Sequence, residues 1–255
     1  MKEYQTLELF NNGPLVILKL NRPKKKNALN PEMIQELQDV FSSLQNDKEV
    51  TLLNIVAKGD AFCAGADISW LNQLNSANKE SIENEFAELG KMLHMLYQLP
   101  QITIAMVHGS VYGGGIGLFS ACDYVISAPN TTFSFSEIKL GLLPASISPY
   151  VVERIGKSQS KKLFMTGEQF DEKYAEKIGL VDEVANPKLH AVNYQTMIEL
   201  LLTQPRHALK QMKQLFRNIE NGEISPANYQ NSSKLIAGLI SQPETKKLFN
   251  KFLNK

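Results

Sequence analysis

The chain has 255 residues, of which 43% are hydrophobic and 21% are charged, and its formal net charge is +1. These values fit a globular protein with a sizeable core, organised as one large domain or as one domain with an appendage. The balanced charge argues against nucleic acid or an anionic membrane as the main partner. The apolar runs LVIL and ITIAMV are far too short to cross a bilayer.

The cysteine and histidine content argues against disulfides and metals. Cys63 and Cys122 are too few for a disulfide framework, and neither lies in a Cys-x-x-Cys motif. We expect both to be buried free thiols in a reducing compartment. The four histidines lack the spacing of metal ligands, so no metal site is predicted. The N-terminal sequence MKEYQTLELF lacks the features of a signal or transit peptide, so we expect a cytoplasmic protein.

Strands and helices alternate along roughly the first 190 residues. Runs of aliphatic and β-branched residues predict strands, and apolar residues at helical spacing predict helices. The predicted strands are 15–20, 50–57, 102–107, 123–128 and 131–135. The predicted helices are one that begins at Pro31 after the N-cap Asn30, a long one at 79–98 and a short one at 114–121. Such alternation is typical of an α/β domain with parallel strand pairing.

The pattern changes near residue 195, where strands give way to helices. Proline and glycine residues separate the predicted helices, which are 189–202, 206–220, 226–239 and 244–253. We therefore divide the chain into an α/β core, residues 1–195, and a helical C-terminal region, residues 196–255. In that region Leu235, Leu239 and Ile240 form an apolar stripe, which predicts burial against a protein partner.

Two glycine-rich turns suggest the chemistry of the protein. The first is Phe62–Asp67, FCAGAD, and the second is Tyr112–Gly117, YGGGIG. Glycine permits positive φ and a close approach of the backbone to a ligand. A helix that begins at the second turn leaves its first N–H groups unpaired at the positive end of the helix dipole. Since one carbonyl oxygen can accept two hydrogen bonds, the two turns together could polarise one carbonyl.

A single carboxylic acid, Glu137, follows the second turn by 20 residues in the segment FSFSEIKLGLLP. Backbone amides stabilise an oxyanion or enolate, and a carboxylate moves the proton. The combination predicts chemistry at an activated carbonyl. A surface position without a role in catalysis is the alternative for this residue.

Other interpretations of the glycine turns fit less well. The spacing of Gly113, Gly115 and Gly117 does not match the GxGxxG of a dinucleotide fold, and no GK[ST] follows this turn at the spacing of a P-loop. The GxSxG turn of a serine hydrolase is also missing from the sequence. Close packing of a short helix on the sheet remains a purely structural alternative. The basic run 24–26 is either a solvated loop or a clamp for a phosphorylated ligand.

Taken together, these motifs resemble the crotonase superfamily, also called the enoyl-CoA hydratase/isomerase family. The resemblance covers essentially the whole chain, through NRPKKKNALN, FCAGADI, YGGGIGL with ACD, FSFSEIKLGLLP and MTGEQFDEKYAEKIGLVDEV. It implies a spiral of ββα units whose helical C-terminal part forms trimers, often paired into hexamers. It also implies an acyl-CoA thioester substrate and no separate cofactor, since coenzyme A is part of the substrate.

The resemblance also assigns roles to residues by their position in the motifs. Ala66 and Gly114 become the two amide donors of an oxyanion hole, and Glu137 becomes the acid–base group. The hydratases of the family carry a second glutamate where this chain has Gly117. Substrate contacts are implied for Lys24, Lys26, Ala28, Leu29, Ala64, Asp67, Ile68, Gly113 and Gly117. Phe252 and Lys255, on the last helix, are implied to reach the coenzyme A of a neighbouring subunit.

One glutamate is compatible with two reactions. A Δ3,Δ2-enoyl-CoA isomerase moves a proton from C2 to C4, and a single carboxylate can do both steps. Hydration of a 2-enoyl-CoA delivers water to C3 and a proton to C2, and one glutamate can recycle that proton. The mechanism alone favours isomerisation. A non-catalytic acyl-CoA-binding protein is the third alternative, against which Glu137 and the two intact turns argue.

Finer features of the sequence favour hydration. The segments GADISWL, YGGGIGL, LPASISPYVVERIG and PETKKLFNKFL resemble bacterial methylglutaconyl-CoA hydratase-like proteins of leucine and isovalerate breakdown. Many of those proteins also lack the first glutamate. Such a substrate carries a distal carboxylate, for which Lys139 and Arg154 are two candidate partners. The sequence does not choose between them and leaves the acyl group open.

Overall fold

The computed structural model describes residues 3–185, 190–218 and 226–253. In these residues the strands are β1 (Leu7–Asn12), β2 (Leu15–Leu20), β3 (Leu52–Ala57), β4 (Ile102–Val107), β5 (Ser110–Tyr112), β6 (Tyr124–Ser127), β7 (Thr132–Ser134), β8 (Gln169–Asp171) and β9 (Glu183–Val184). The helices are α1 (Pro31–Gln45), α2 (Ile68–Leu74), α3 (Lys79–Gln98), α4 (Gly114–Ser120), α5 (Ser148–Thr166), α6 (Glu172–Lys177), α7 (His190–Thr203), α8 (Arg206–Asn218), α9 (Pro226–Ile240) and α10 (Pro243–Leu253). Two short 3₁₀ helices cover Pro23–Lys25 and Ser136–Leu140.

The described strands form two sheets. One sheet has six strands in the order β1-β2-β3-β4-β6-β9, and the other has three in the order β5-β7-β8. The pairs from β2 to β9 in the large sheet are parallel, as is the pair β5–β7. The pairs β1–β2 and β7–β8 are antiparallel. The predicted parallel pairing is therefore confirmed for the central strands, and each antiparallel pair involves a strand, β1 or β8, that was not predicted.

The hydrophobic core includes residues of the large sheet, of α1 and α3, and of α4, α5, β5 and β7. The Asn30 side chain caps α1 by accepting a hydrogen bond from the Met33 N–H at 3.1 Å, as predicted. The apolar face of α1 is buried, and so are Leu89, Leu93 and Leu96 on one face of α3, which leaves the polar faces to solvent. The phenylalanines of the predicted strand at 131–135, Phe133 and Phe135, are both buried.

Several elements escaped the sequence analysis. The largest is α5, whose helical pattern is interrupted at Gly156, where φ is +72° and the helix kinks. Helix α2 and strands β1, β8 and β9 were also missed. Most of these elements are short, so they offer too few residues for a periodic pattern.

Contacts divide the chain into two compact units, one ending at Glu199 and the other beginning at Leu200. The second unit holds α8, α9 and α10, at nearly the predicted positions. The boundary at 195 and the trimerisation role of residues 196–255 stay predictions. Residues 189 and 220, at the ends of predicted helices, lie outside the described residues, and so does Lys255. No helix among the described residues combines the length and the apolar character needed to span a membrane.

Candidate active site

The first glycine turn, residues 62–67, joins β3 to α2 and is held by the loop that follows β2. The Leu29 N–H donates to the Gly65 carbonyl at 2.7 Å, and the Asp67 N–H donates to the Leu29 carbonyl at 2.8 Å. Gly65 has φ +96°, which few residues other than glycine adopt. The N–H of Ala66, between these two bonds, has no acceptor among the described residues.

The second turn lies directly against the first. The Tyr112 N–H donates to the Cys63 carbonyl at 3.0 Å, and Cys63 forms an isolated parallel bridge with Val111. A Cβ built on Gly65 would lie 3.2 Å from the Tyr112 carbonyl oxygen. A Cβ built on Gly115 would lie only 2.4 Å from the Cys63 carbonyl oxygen. The close approach of the two turns therefore requires glycine at position 115 and favours it at position 65.

Helix α4 begins at the second turn. Gly113 takes the N-cap position with φ +45°, and its N–H donates to the Ser134 carbonyl at 3.1 Å. The N–H of Gly114, the first helical residue, has no acceptor among the described residues. A Cβ built on Gly114 would lie 2.9 Å from Leu29 Cδ1. The backbone of the same leucine is hydrogen-bonded to Gly65 and Asp67, on either side of Ala66. Both predicted donor residues, Ala66 and Gly114, therefore lie next to Leu29.

The Glu137 carboxyl lies at the second turn. It is carried by the 3₁₀ helix after β7, and a Cβ built on Gly113 would lie 2.6 Å from Glu137 Oε1 and 3.1 Å from its Cδ. The other oxygen, Oε2, is buried and has no partner among the described residues. Burial raises the pKa of the Glu137 carboxyl above its usual value, because the ionised form loses hydration. A buried carboxyl of this kind next to an unpaired amide is typical of acid–base sites.

Gly117 is buried beneath the side chain of Ile147. A Cβ built on Gly117 would lie 2.1 Å from Ile147 Cγ2 and 2.6 Å from Ile147 Cβ. Ile147 is itself buried, immediately before α5. Ile147 thus fills the space into which a side chain at position 117 would project. This space is where the resemblance placed a second glutamate in other proteins.

The loop after β2 carries the lysines that were predicted to contact coenzyme A. Lys24 and Lys26 are exposed, and Lys26 has φ +48°. Ala28 and Leu29 are buried, so only a small part of each residue could contact a ligand.

The backbone N–H groups of Ala64 and Asp67, two residues implied to contact coenzyme A, already donate to protein carbonyls. The Ala64 N–H donates to the Lys26 carbonyl at 3.0 Å, and the Asp67 N–H is bonded to Leu29. A ligand would therefore have to use other atoms of Ala64 and Asp67. The Ile68 side chain, at the start of α2, is 75% exposed and is open to contact.

The sequence analysis missed Arg22, which holds the first turn from the side. Its Nη2 lies 2.8 Å from Asp67 Oδ2, and its Nη1 donates to the Ala28 carbonyl. Burial opposes ionisation of Asp67, but hydrogen bonds from Arg22 and the Ser69 N–H outweigh it, and the pKa of the Asp67 carboxyl is lowered. The two residues are 45 positions apart, so no local spacing could have revealed the pair.

Other reactive side chains are accounted for by packing or by protein partners. Burial raises the pKa of the Cys63 thiol to about 12, so it is a poor nucleophile. The Arg154 guanidinium is bonded to the Cys122 carbonyl and to Asp182, whereas Lys139 is exposed. Within the described residues, no group of three or more His, Cys, Asp or Glu side chains is arranged to hold a metal ion.

Comparison with known proteins places this geometry in a family. The sequence profile of the family described as "Enoyl-CoA hydratase/isomerase" matches residues 11–255. The chain is 34% identical to crotonyl-CoA hydratase of Syntrophomonas wolfei over 72% of the chain and 71% of that protein. It is 31% identical to hydroxycinnamoyl-CoA hydratase-lyase of Pseudomonas fluorescens over 83% of the chain and 80% of that protein.

Solved structures agree with the sequence matches. The crystal structure of an enoyl-CoA hydratase from Shewanella pealeana superposes with a TM-score of 0.94 at 30% identity, over 99% of this chain and 94% of that one. The α/β fold predicted from the sequence is therefore confirmed. This chain belongs to the enoyl-CoA hydratase/isomerase family and has the crotonase fold.

Proposed function

We propose that this protein adds water across the double bond of a 2-enoyl-CoA thioester, with Glu137 as its only acid–base group. One observation carries the proposal. Glu137 Oε2 is buried at the second glycine turn, and neither it nor the Gly114 N–H of that turn has a partner among the described residues. Buried polar groups are normally paired, so unpaired groups gathered at one place point to a ligand.

The chemistry follows from what these groups can do. The N–H groups of Ala66 and Gly114 donate to the thioester oxygen, which draws electrons away from C3. Glu137 takes a proton from water as the water oxygen bonds to C3, and the electron pair of the double bond moves onto the thioester oxygen as an enolate. Glu137 then returns the proton to C2, and the enolate collapses to the thioester. The amide donors stabilise the enolate most strongly, which is what lowers the barrier.

Isomerisation of a 3-enoyl-CoA is the second candidate, and one observation favours it. Ile147 fills the space over Gly117, so a second carboxylate has no room there. Moving a proton from C2 to C4 needs only one base, whereas hydration also needs a held water. Names of relatives favour hydration, since crotonyl-CoA hydratase and hydroxycinnamoyl-CoA hydratase-lyase both act with water.

The acyl group that we propose is the branched, acidic one of 3-methylglutaconyl-CoA, as in leucine breakdown. Support comes from the sequence segments that resemble methylglutaconyl-CoA hydratase-like proteins. Arg154 is committed to Asp182 and Cys122, so Lys139 is the better candidate to meet a distal carboxylate. It is exposed and lies two residues from Glu137 on the same 3₁₀ helix.

Turnover of three thioesters in ¹⁸O-labelled water tests these proposals together. Crotonyl-CoA, 3-methylglutaconyl-CoA and a 3-enoyl-CoA would each be incubated with the protein, and the products analysed by mass spectrometry. Hydration places the label at C3, whereas isomerisation moves the double bond and incorporates no label. Clean isomerisation with no hydration of either 2-enoyl substrate would reject the first candidate. Binding of all three without turnover would leave a non-catalytic acyl-CoA-binding protein.

We also propose that the protein assembles as a trimer or as a dimer of trimers. The support is the family membership, together with exposed apolar side chains in the C-terminal unit. Phe216 is 67% exposed and Phe252 is 76% exposed. Exposed apolar surface of this kind is usually buried against a partner. Light scattering at micromolar protein concentration would test this, and a strict monomer would contradict it.

A further inference from the structure

We propose that Arg22 is a positioning residue that aims the Ala66 N–H, and that it acts through Asp67. The inference rests on the proposed function in one respect, since it takes Ala66 as a donor to the thioester oxygen. It adds a residue that touches no reacting atom and joins two segments far apart in the chain.

The backbone around Ala66 is held on both sides. On one side the Gly65 carbonyl accepts from the Leu29 N–H, and on the other the Asp67 N–H donates to the Leu29 carbonyl. These bonds fix the peptide groups relative to Leu29, and the Tyr112 N–H ties Cys63, earlier in the turn, to the second turn. The Arg22–Asp67 pair adds a side-chain restraint between the base of the Leu29 loop and the residue that directly follows the donor.

The Asp67 carboxylate has two partners, and they hold it from different directions. Oδ1 accepts from the Ser69 N–H at 2.8 Å, at the first turn of α2. Oδ2 pairs with Arg22 Nη2 at 2.8 Å. Because Asp67 directly follows Ala66, a displacement of this carboxylate would rotate the peptide group next to the donor N–H.

Arg22 is itself held at both ends. Its backbone N–H donates to Asn27 Oδ1 at 2.8 Å, and the Asn27 N–H returns a bond to the Arg22 carbonyl at 3.0 Å. At the other end Nη1 donates to the Ala28 carbonyl. The planar guanidinium thus bridges a loop carbonyl and a turn carboxylate in a fixed geometry, which lysine cannot reproduce with a single ammonium group.

The pair is buried enough to be rigid. The Arg22 side chain is 17% exposed and the Asp67 side chain is 6% exposed. At this burial a broken pair leaves an uncompensated charge, so the remaining partner is expected to move toward water. A movement of about 1 Å at a donor can cost about a hundredfold in rate, because the donor then misses the oxyanion.

A purely structural role is the alternative, and the chain contains a matched control for it. Arg154 also donates through one Nη to a backbone carbonyl, that of Cys122, and pairs through the other with a carboxylate, that of Asp182. Its side chain is 11% exposed, similar to Arg22. Asp182 in turn accepts from the Val125 N–H at 2.7 Å, in the strand region around β6 rather than at a glycine turn.

The test measures proton exchange at C2 of a saturated thioester, butyryl-CoA, in D₂O. Glu137 removes the C2 proton and the electron pair moves onto the thioester oxygen. The protonated carboxyl exchanges its proton for a deuteron of D₂O, and that deuteron is returned to C2 as the enolate collapses. This step needs the amide donors and Glu137 but no attacking water. The variants are Arg22→Gln, Arg22→Lys and Asp67→Asn, with Asp182→Asn, which breaks the pair with Arg154, as the control. Thermal melting of every variant separates loss of fold from loss of geometry.

We expect Arg22→Gln and Asp67→Asn to slow exchange about tenfold or more at saturating butyryl-CoA. KM should change by less than about threefold, because the donor acts mainly on the enolate. Arg22→Lys should fall between these variants and the wild type. The Asp182→Asn control should lose some thermal stability, less than Asp67→Asn because Asp182 is 31% exposed and Asp67 only 6%, and it should keep the wild-type exchange rate.

Two results would overturn the inference. One is a folded Arg22→Gln variant that exchanges at the wild-type rate. The other is a control pair whose loss slows exchange as much as loss of the Arg22–Asp67 pair. A wild-type protein that exchanges C2 protons but hydrates no 2-enoyl-CoA would reject the hydratase proposal and leave this inference standing. A wild-type protein that does neither would reject both.

Discussion

The two glycine turns bring unpaired amides to the same place by different physical means. The first turn, 62–67, is held by hydrogen bonds and an ion pair to a loop some 40 residues earlier in the sequence. The second, 112–117, also makes backbone hydrogen bonds, but it differs in its close packing, because carbonyl, carboxyl and methyl groups occupy the places where Cβ atoms would be. The first turn is therefore sensitive to the loss of a distant partner, and the second to the addition of a single carbon. Substitutions at each turn can test this difference.

The largest effect is expected for Glu137→Gln, at the carboxyl that faces the second turn. The amide keeps the shape of the side chain and loses the ability to take a proton. General acid–base groups contribute about 10²–10⁴-fold, and we expect turnover to fall by that amount. Binding of the acyl-CoA, measured by calorimetry, should be nearly unchanged. Retention of more than about a tenth of the activity would show that another group is the base.

The next largest effect is expected for Gly114→Val. Its Cβ would lie 2.9 Å from Leu29 Cδ1, so either the leucine or the donor N–H must move. Loss of one oxyanion donor costs about 10²–10³ in rate, and turnover should fall by that factor. Gly90→Ala is the matched control, because a Cβ there meets nothing within 4 Å. It should leave turnover unchanged, and a fully active Gly114→Val would remove the oxyanion role from this turn.

A third effect is expected on thermal stability, and it should depend on the residues at both positions 117 and 147. Gly117→Ala would bring a Cβ to 2.1 Å from Ile147 Cγ2. Overpacking of this kind typically costs about 1–3 kcal/mol, so the melting temperature should fall. Ile147→Val keeps Cγ2, whereas Ile147→Ala removes it and leaves only Cβ, 2.6 Å from the added carbon.

A double-mutant cycle between position 117 and position 147 therefore measures the contact. Gly117→Ala should be clearly less harmful in the Ile147→Ala background than in the wild type. Additive losses in the cycle would mean that the helix shifts away and that Ile147 does not fill this space.

Local sequence patterns predicted most of the longer strands and helices. Strand β2 lies where the run of aliphatic residues placed it, and α3 lies where helical spacing of apolar residues placed it. Asn30 caps α1 as predicted. The two glycine-rich turns and Glu137, which the sequence singled out, lie close together in the structure, and their roles in catalysis stay predictions. The motifs also predicted the family, since they form a specific set.

Contacts between residues far apart in the sequence could not be predicted from these local patterns. The Arg22–Asp67 pair and the contact of Ile147 with Gly117 each join residues at least 30 positions apart, and neither follows from local periodicity. The kink at Gly156 likewise hid α5, because it changes the direction of the apolar face within one helix. Tertiary packing decides these features, and one sequence does not display it.

The smallest effect that we predict concerns stability and pH at Glu137. Burial raises the pKa of this carboxyl in the folded protein, and no described residue pairs with Oε2. The folded state therefore holds the proton to a higher pH than the unfolded state does, and stability falls as pH rises through the folded pKa. Below the unfolded pKa the carboxyl is neutral in both states and this cost disappears.

Glu137→Gln removes the ionisation and with it the cost. The variant should melt slightly higher than the wild type at neutral pH, and the difference should shrink as the pH is lowered toward the usual pKa of a glutamic acid. The same substitution would then increase stability where it removes turnover, as expected when an active site retains a poorly solvated charge for function. Melting curves of both proteins across this pH range provide the measurement. A variant that is less stable than the wild type at neutral pH would show that Glu137 stabilises the fold when ionised, and the site would then hold a partner for Oε2.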